Sequence, residues 1–346
     1  GSIWIDFGND HDMDLFVAKC GCDPVDILYR NNGDGTFTNI AASAGFSDSH
    51  QSWSSAWGDF DNDGDMDVLV GSSSSGIHKL MRNNGNSTFT DITAGSGFDA
   101  FNSQSIEWTT HDFNNDGHLD VLGGGKIMLG AGDMTFTPVV GTLTNGPIGD
   151  MNNDGFLDLV SGSTCYMNNG NDNNYIKIYL TGVTSNKNGI GARVMVTSAL
   201  GTQIRDMKSG DGFRYMSSIT AHFGLGPDTE VSEVVVFWPS GLVQEVMAPA
   251  INGTLNIIEG ISTGVTEHPA SLELNIFPNP AEDVLNITSD QDLSNRIVSI
   301  FDITGKSVLT TTLRHGQVDI AGLNSGLYIL QVLGDNGMLQ RKFTKR

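Results

Sequence analysis

The chain has 346 residues, enough for two or three domains with cores of their own. Its 18 Lys and Arg residues stand against 40 Asp and Glu residues, and the resulting net charge of -22 disfavours nucleic acid and anionic membranes as partners. Residues 1–172 carry most of that charge, with 5 basic against 24 acidic residues, so this half favours cations. Three cysteines are too few for a disulfide scaffold, and Cys165 is expected to be buried and inert. No apolar run approaches the roughly 18 residues of a transmembrane segment.

An aspartate-rich motif opens the chain and occurs four times. Short Val, Ile, Phe and Thr runs bounded by Asn, Asp and Gly follow each copy, which is typical of β-strands. Four such strands in about 50 residues is the size of a β-propeller blade. We therefore predict an all-β fold in which 1–172 forms a partial β-propeller, with a reduced last blade and with further blades preceding residue 1. The four copies are WIDFGNDHDMDLFV (4–17), WGDFDNDGDMDVLV (57–70), THDFNNDGHLDVLG (110–123) and IGDMNNDGFLDLVS (148–161).

Oxygen donors occupy the same positions of each nine-residue loop. Positions 1, 3, 5 and 9 carry Asp or Asn in every copy, except that Gly8 stands at position 3 of the first loop. Position 7 tolerates Asp, His and Phe, so we expect its backbone carbonyl to be the ligand. Position 6 is Gly in three copies, as a turn with positive φ requires, and His11 in the first. The predicted ligand residues are Asp6, Asp10, Asp12 and Asp14; Asp59, Asp61, Asp63, Asp65 and Asp67; Asp112, Asn114, Asp116, His118 and Asp120; Asp150, Asn152, Asp154, Phe156 and Asp158.

Three interpretations of these loops are open: an acid cluster of an enzyme, a metal loop, or a solvated acidic turn. Alternating carboxylates, a glycine turn and one carbonyl suit a hard, flexible ion, and this indicates Ca²⁺, in up to four sites. Mg²⁺ requires stricter octahedral geometry, and Zn²⁺ prefers His or Cys. Four copies with the donor positions held favour the metal loop over the turn. The first loop is expected to bind most weakly.

These loops, with their NNGDGTFT hairpins, resemble FG-GAP/VCBS repeats, the calcium-loop blades of integrin-type propellers. Asp59, Asp61, Asp63, Asp65 and Asp67 match that pattern fully. The third and fourth loops match closely, and the first departs at Gly8 and His11. The resemblance implies a calcium-binding propeller over about residues 1–172.

The segment 173–260 changes character, with longer β-like runs such as YIKIYLTGV and VSEVVVFWPSG. NGIGARVMVTSALGTQIRDMKSGDGFRYMSS and HFGLGPDTEVSEVVVFWPSGLVQEV resemble the ASPIC/UnbV domain. The resemblance implies an extracellular β-rich module without established catalysis. His222 with Asp206 or Asp211 and with Ser217 or Ser218 suggests a triad. A G-x-S-x-G elbow is missing from this segment, so we expect His222 to be structural. We predict no catalytic residues.

Residues 261–271 are a predicted linker of Ser, Thr, Gly and Pro. The tail at 272–346 alternates as a β-sandwich does. FPNPAEDVLNI, ITGKSV, LNSGLYILQV and a basic end follow one another in it. This order resembles the type A C-terminal sorting domain of the type IX secretion system of Bacteroidetes, an immunoglobulin-like β-sandwich. The resemblance implies the type IX secretion machinery as a partner and delivery to the outer-membrane surface or the extracellular medium.

Three functions are consistent with these features. The first, which we favour, is an exported calcium-binding module for adhesion to an extracellular glycan or protein. The second is an extracellular polymer-degrading hydrolase or lyase whose paired carboxylates lie elsewhere, and Glu107, the one Glu in the repeat half, is a weak candidate acid. The third is a scaffold for an upstream domain.

Overall fold

The computed structural model describes residues 1–21, 25–47, 52–72, 78–261, 274–289, 293, 296–302, 307–314, 316–334 and 337–346. Within these ranges the protein is built almost entirely of β-strands, which confirms the all-β prediction. Two compact units are present, Gly1–Gly264 and Val265–Arg346. The described part contains no helix long and apolar enough to cross a membrane.

Four antiparallel sheets follow one another along the first half of the chain. Each begins with a strand, the nine-residue loop and a second strand, so every aspartate loop closes the first hairpin of its sheet. The last sheet has three strands, as the short final repeat predicts. The strands are β1 (Ser2–Ile5), β2 (Asp14–Val17), β3 (Ile27–Asn31) and β4 (Phe37–Asn39), followed by helix α1 (Ala41–Ala44); β5 (Ser52–Gly58), β6 (Asp67–Ser72), β7 (Lys79–Asn83) and β8 (Phe89–Asp91); β9 (Trp108–His111), β10 (Asp120–Gly123), β11 (Lys126–Gly130) and β12 (Phe136–Pro138); β13 (Ile148–Gly149), β14 (Asp158–Ser161) and β15 (Thr164–Tyr166).

The cores of these sheets lie between neighbours rather than within one sheet. Phe16 of the first sheet, Trp57 of the second and Phe89 belong to one buried cluster, and Phe16 and Phe89 each meet the Trp57 ring edge-on. Trp108 is fully buried in the next cluster. A four-stranded sheet cannot bury both of its faces alone, and stacking of successive sheets covers them, as in a propeller.

One expectation about this half is wrong. Cys165 is exposed rather than buried. It lies on β15, whose three residues are all exposed. In the described sheet β15 is the outer edge strand, without a fourth strand to cover it.

The middle segment forms two further sheets around a core that includes Ile178, Val194, Phe223 and Val236. One sheet has the order β19-β16-β22, in which β16 and β22 are parallel, and the other has the antiparallel order β18-β17-β20-β21. This second group of sheets is called the middle domain below. Its strands are β16 (Asn174–Thr181), β17 (Arg193–Ser198), β18 (Gly201–Asp206), β19 (Ala221–Gly226), β20 (Glu233–Phe237), β21 (Val243–Met247) and β22 (Thr254–Ile258).

The tail is a two-sheet sandwich with sheet orders β23-β24-β27 and β26-β25-β28-β29. Leu285, Val298, Leu330 and Phe343 lie in its core. Residues 262–273, which contain most of the predicted linker, lie outside the described residues. The strands are β23 (Asn275–Phe277), β24 (Val284–Thr288), β25 (Ile297–Asp302), β26 (Ser307–Thr312), β27 (Gln317–Asp319), β28 (Gly326–Gly334) and β29 (Gly337–Lys345).

Candidate metal centre

The first aspartate of each loop organises the turn that follows it. In the second loop the Asp59 carboxylate accepts the N–H groups of Asp63 and Gly64, both at 3.0 Å. Asp6, Asp112 and Asp150 accept the N–H of position 6 in the same way. Position 6 has positive φ in all four copies, at 65° in His11 and 92° in Gly64, so the turn predicted from the glycines is present.

The last aspartate of each loop joins the loop to the next hairpin. Asp67 accepts the Phe60 N–H at 3.1 Å on Oδ2 and the Asn83 N–H at 2.8 Å on Oδ1. Each carboxylate oxygen can accept more than one interaction, so these bonds leave room for a cation. The residues at position 9 therefore hold the loop together as well as being predicted ligands. The same pair of backbone bonds is made by Asp14, Asp120 and Asp158.

The second loop gathers three carboxylates into one site. Oxygen atoms of Asp59, Asp61 and Asp67 lie within 4.8 Å of one another. Asp61 Oδ1 is buried and has no hydrogen-bond partner. Burial, together with the charges of neighbouring aspartates, raises the pKa of Asp59 to about 7 and that of Asp67 to about 8. Such a group of buried carboxylates is unfavourable by itself and is neutralised by a divalent cation, so these residues fit Ca²⁺.

The third loop has a second buried acceptor of this kind. Asp112 is 1% exposed and its Oδ1 has no hydrogen-bond partner. Asn114 and Asp116 bond to each other, with the Asn114 amide donating to Asp116 Oδ2 at 2.8 Å and the Asp116 N–H donating to Asn114 Oδ1 at 3.0 Å. The donor set thus retains an unsatisfied carboxylate oxygen, and it also fits an oxygen-seeking cation.

At position 7 the side chains of two loops are engaged with a neighbouring loop. Asp65 turns its side chain to the first loop, where Asn9 Nδ2 donates to Asp65 Oδ1 at 2.6 Å. The His118 ring lies beside Asn62 of the second loop, at 3.4 Å from its Nδ2. Side chains engaged with neighbouring loops leave the backbone carbonyl as the group available to an ion, and the carbonyl ligand stays a prediction.

A carboxylate of the first loop is paired with a basic side chain from the middle domain. Arg193 of the middle domain has 5% side-chain exposure, and its Nη1 lies 3.4 Å from Asp6 Oδ2. Its Nε donates to Asp206 at 2.6 Å, and its Nη1 and Nη2 donate to Asn9 Oδ1 and the Asp6 carbonyl. Burial by itself would lower the Arg193 pKa, but Asp206 and Asp6 outweigh it and raise that pKa. This loop does not fit Ca²⁺ as the second loop does.

A carboxylate of the fourth loop is also paired with a basic side chain from the middle domain. Lys177 Nζ, from β16, donates to Asp150 Oδ2 at 2.6 Å, and both side chains are below 10% exposure. The same Asp150 oxygen accepts the Gly155 N–H at 2.9 Å. The acceptor that would face an ion in this loop is thus already paired with an ammonium group.

Two kinds of asparagine important to this geometry were missed from the sequence. Position 4 is Asn in every loop with φ between 54° and 59°. In the first three loops its amide reaches the next loop, as Asn62 does to the Gly117 carbonyl at 3.1 Å. The first Asn of the NNG turn links neighbouring sheets: Asn83 Nδ2 donates to the Phe7 and Met66 carbonyls at 3.0 and 3.2 Å. The sequence signal for both is that Asn recurs at the same position of successive repeats. It was overlooked because Asn in these segments was interpreted only as a turn residue.

The residues considered for catalysis have structural partners. His222 Nε2 lies 2.9 Å from the Gly155 carbonyl, and burial lowers the His222 pKa to about 4. Ser217 donates to Asp211 and accepts the Ile148 N–H. Glu107, 1% exposed, accepts the Arg214 N–H at 2.8 Å and so holds the middle domain.

Comparison with known protein families identifies three kinds of module in chain order. FG-GAP-like repeats match residues 6–70, and a second FG-GAP repeat model matches 52–90. The ASPIC and UnbV model matches 182–264. The secretion system C-terminal sorting domain matches 275–346. The chain is thus a secreted or surface repeat protein with an export tail that acts through the type IX secretion machinery, and its location is extracellular or at the outer-membrane surface.

Known proteins with similar sequences include cartilage acidic protein 1. The human protein is 30% identical over 288 residues, which cover 71% of this chain and 42% of the human protein; the mouse protein is 29% identical, with coverage of 71% and 43%. The chain therefore spans less than half the length of these relatives. Among solved structures, PorZ, described as a surface component of the type IX secretion system of Porphyromonas gingivalis, matches with 13% identity and a TM-score of 0.27, covering 96% of this chain and 58% of that one. A TM-score this low establishes no shared fold.

Proposed function

We propose that this protein is a surface-delivered binding module whose propeller is stiffened by Ca²⁺ in its aspartate loops. One observation carries the proposal: three carboxylates of the second loop lie within 4.8 Å of one another, and one of them, Asp61, has a buried oxygen without a hydrogen-bond partner. The family match to FG-GAP repeats supports the same assignment. The predicted ligand positions of the second and third loops are proposed as the contacts of the ion.

The donor chemistry favours Ca²⁺ over other ions. The side chains that converge in the second loop are all carboxylates, those of Asp59, Asp61 and Asp67, and we propose that the carbonyl of position 7 completes the oxygen donors. Oxygen donors select hard cations, and a loop of irregular geometry suits the flexible coordination of Ca²⁺ better than the strict octahedron of Mg²⁺.

Adhesion is the use to which we propose this scaffold is put. The sorting domain supports delivery to the cell surface, where a rigid array of blades offers an extended surface to a glycan or protein. The division into blades at 1–172, a middle domain at 173–260, a linker at 261–271 and a sorting domain at 272–346 is part of the proposal. We propose no catalytic role for this chain.

Calcium binding is tested by counting bound ions in the chain by equilibrium dialysis against ⁴⁵Ca²⁺. We expect binding in the wild type and the loss of one ion in Asp59→Asn. The matched control is Asp172→Asn, since Asp172 is exposed and lies outside the loops. A wild-type protein that binds no ion would refute the metal assignment.

The adhesive role is tested on arrays of glycans and extracellular-matrix proteins, probed with the chain in Ca²⁺ and in EDTA. We expect a ligand that is retained in Ca²⁺ and released in EDTA, and the same loss in Asp59→Asn but not in Asp172→Asn. Binding that is indifferent to both chelation and Asp59→Asn would contradict a calcium-stiffened binding surface.

A further inference from the structure

The middle domain directs its basic residues at the aspartate loops. Residues 173–260 contain six Lys and Arg in all. Three of them lie near loop aspartates: Lys177, Arg193 and Arg205. Lys177 and Arg193 make the ion pairs to Asp150 and Asp6 described above. Half of the basic residues of the middle domain therefore lie next to the acidic loops of the first half of the chain.

The cations of the first and fourth loops pair directly with a loop carboxylate. Arg205 is buried near Asp59 and Asp112 of the second and third loops, but its guanidinium donates to the Ile204 carbonyl and Gln203 Oε1. The second loop keeps Asp61 Oδ1 unpartnered, and the third keeps Asp112 Oδ1 unpartnered. In the first and fourth loops the aspartate at position 1 meets a guanidinium at 3.4 Å and an ammonium at 2.6 Å, respectively. A charged side chain held at these distances supplies the neutralisation that an ion would supply elsewhere.

The first loop also departs from the repeat in a way that suits the middle domain. His11, at the position that is glycine in the other copies, stacks on Phe237 of β20 with ring centroids 4.2 Å apart. Asn9 of the same loop accepts from Arg193. His11, one of the two residues that weaken the metal pattern in this loop, therefore contacts the middle domain.

The fourth loop is covered by the same domain. Tyr175 of β16 packs so closely on Gly155 that a Cβ there would lie 1.9 Å from its ring, and His222 of β19 bonds the Gly155 carbonyl. The middle domain thus contacts the Gly155 carbonyl through His222 and the Asp150 carboxylate through Lys177. The fourth loop is therefore part of the contact between the aspartate-loop sheets and the middle domain.

We propose that Arg193 and Lys177 replace the metal in the first and fourth loops, so that these loops fasten the middle domain to the propeller and only the second and third loops take Ca²⁺. The proposal rests on the proposed calcium binding for its second half, whereas the fastening by Lys177 and Arg193 does not depend on any metal. Two of the four predicted calcium sites are thus assigned to basic side chains of the same chain, Arg193 in the first loop and Lys177 in the fourth.

Ion counting by ⁴⁵Ca²⁺ dialysis separates the loops. We expect two ions in the wild type, one in Asp59→Asn, and still two in Asp150→Asn. Loss of an ion in Asp150→Asn, or a wild-type count of three or four, would overturn the proposal. A count of zero in the wild type would instead refute the proposed calcium binding, and the role of the ion pairs in holding the middle domain would then be tested by the next measurement alone.

Thermal unfolding in EDTA tests the fastening without metal. Lys177→Gln leaves Asp150 buried and uncompensated, so we expect Tm to fall by roughly 10 °C, while Lys187→Gln, at an exposed lysine, leaves it unchanged. If Lys177→Gln does not fold, the pair variant Asp150→Asn with Lys177→Met removes both charges, and we expect it to fold with a Tm near that of the wild type. A Tm of Lys177→Gln equal to that of Lys187→Gln, or a pair variant that also fails to fold, would show that the ion pair does not hold the domains together.

Discussion

Asn83 links the first two sheets, and its removal should cost far more than its size suggests. The side chain is 2% exposed, and its amide donates to the Phe7 carbonyl of the first loop and the Met66 carbonyl of the second. Its Oδ1 accepts the Gly85 N–H at 3.1 Å. Asn83→Ala leaves three backbone groups without their partner at the contact between two sheets.

Each lost bond at a buried site costs about 1 kcal/mol, so we expect the free energy of unfolding to fall by about 3 kcal/mol. For a unit of this size that corresponds to a fall in Tm of about 6–12 °C. The bond from the Asn83 N–H to Asp67 is made by the backbone and survives the substitution, so the loss is not an indirect effect on the carboxylate cluster.

The measurement is urea unfolding followed by tryptophan fluorescence, with Asn84→Ala as the matched control. Asn84 is the next residue of the same turn, is exposed, and bonds only to Thr88 and Thr90 among its described contacts. We expect that control to lie within about 0.5 kcal/mol of the wild type. Equal unfolding free energies for Asn83→Ala and Asn84→Ala would refute the role of Asn83 as a link between sheets.

Three further predictions concern metal, pH and export. Removal of Ca²⁺ by EDTA should lower the Tm of the Gly1–Gly264 unit, because the buried carboxylates then lose their counter-ion, and an unchanged Tm in excess EDTA would contradict this. Glu259 should contribute stability that is present above about pH 4.3 and lost as pH falls towards 2. Burial raises its pKa, but hydrogen bonds from Ser240 and Ser185 outweigh burial and lower it to about 2, so acid must protonate a carboxylate that the fold holds ionised. Acid titration of Tm checks this, and Glu259→Gln should flatten the profile in that range; a wild type and variant with parallel profiles would be inconsistent with it. Deletion of 272–346 should leave the protein in the periplasm, as followed by cell fractionation, and normal surface delivery of the truncated protein would rule out the sorting role of the tail.

Much of the fold was accessible from the sequence because its signals are local. The aspartate loops repeat in register, and the positive φ at position 6 follows from Gly64, Gly117 and Gly155. The strand–loop–strand hairpin around each loop follows from the same pattern. The order of the three modules was readable from linear motifs, and the family matches confirm it.

The differences among the loops were not readable in this way. In sequence, the fourth loop matches the metal pattern nearly as well as the second, but Lys177 stands 27 residues from Asp150 and belongs to another sheet. Arg193 stands 187 residues from the Asp6 carbonyl that it binds. The exposure of Cys165 also depended on whether a neighbouring strand covers β15.

The sequence by itself determined the loops, since spacing along nine residues fixes which oxygens converge within one turn. The tertiary structure alone decided how the loop carboxylates are partnered. The second and third loops each keep a carboxylate oxygen without a hydrogen-bond partner, whereas a carboxylate of the first loop pairs with a guanidinium and one of the fourth loop with an ammonium. The physical reason is that coordination within a loop is a local property of the backbone. The counter-charge comes from whichever distant side chain the packing of another domain brings within 4 Å.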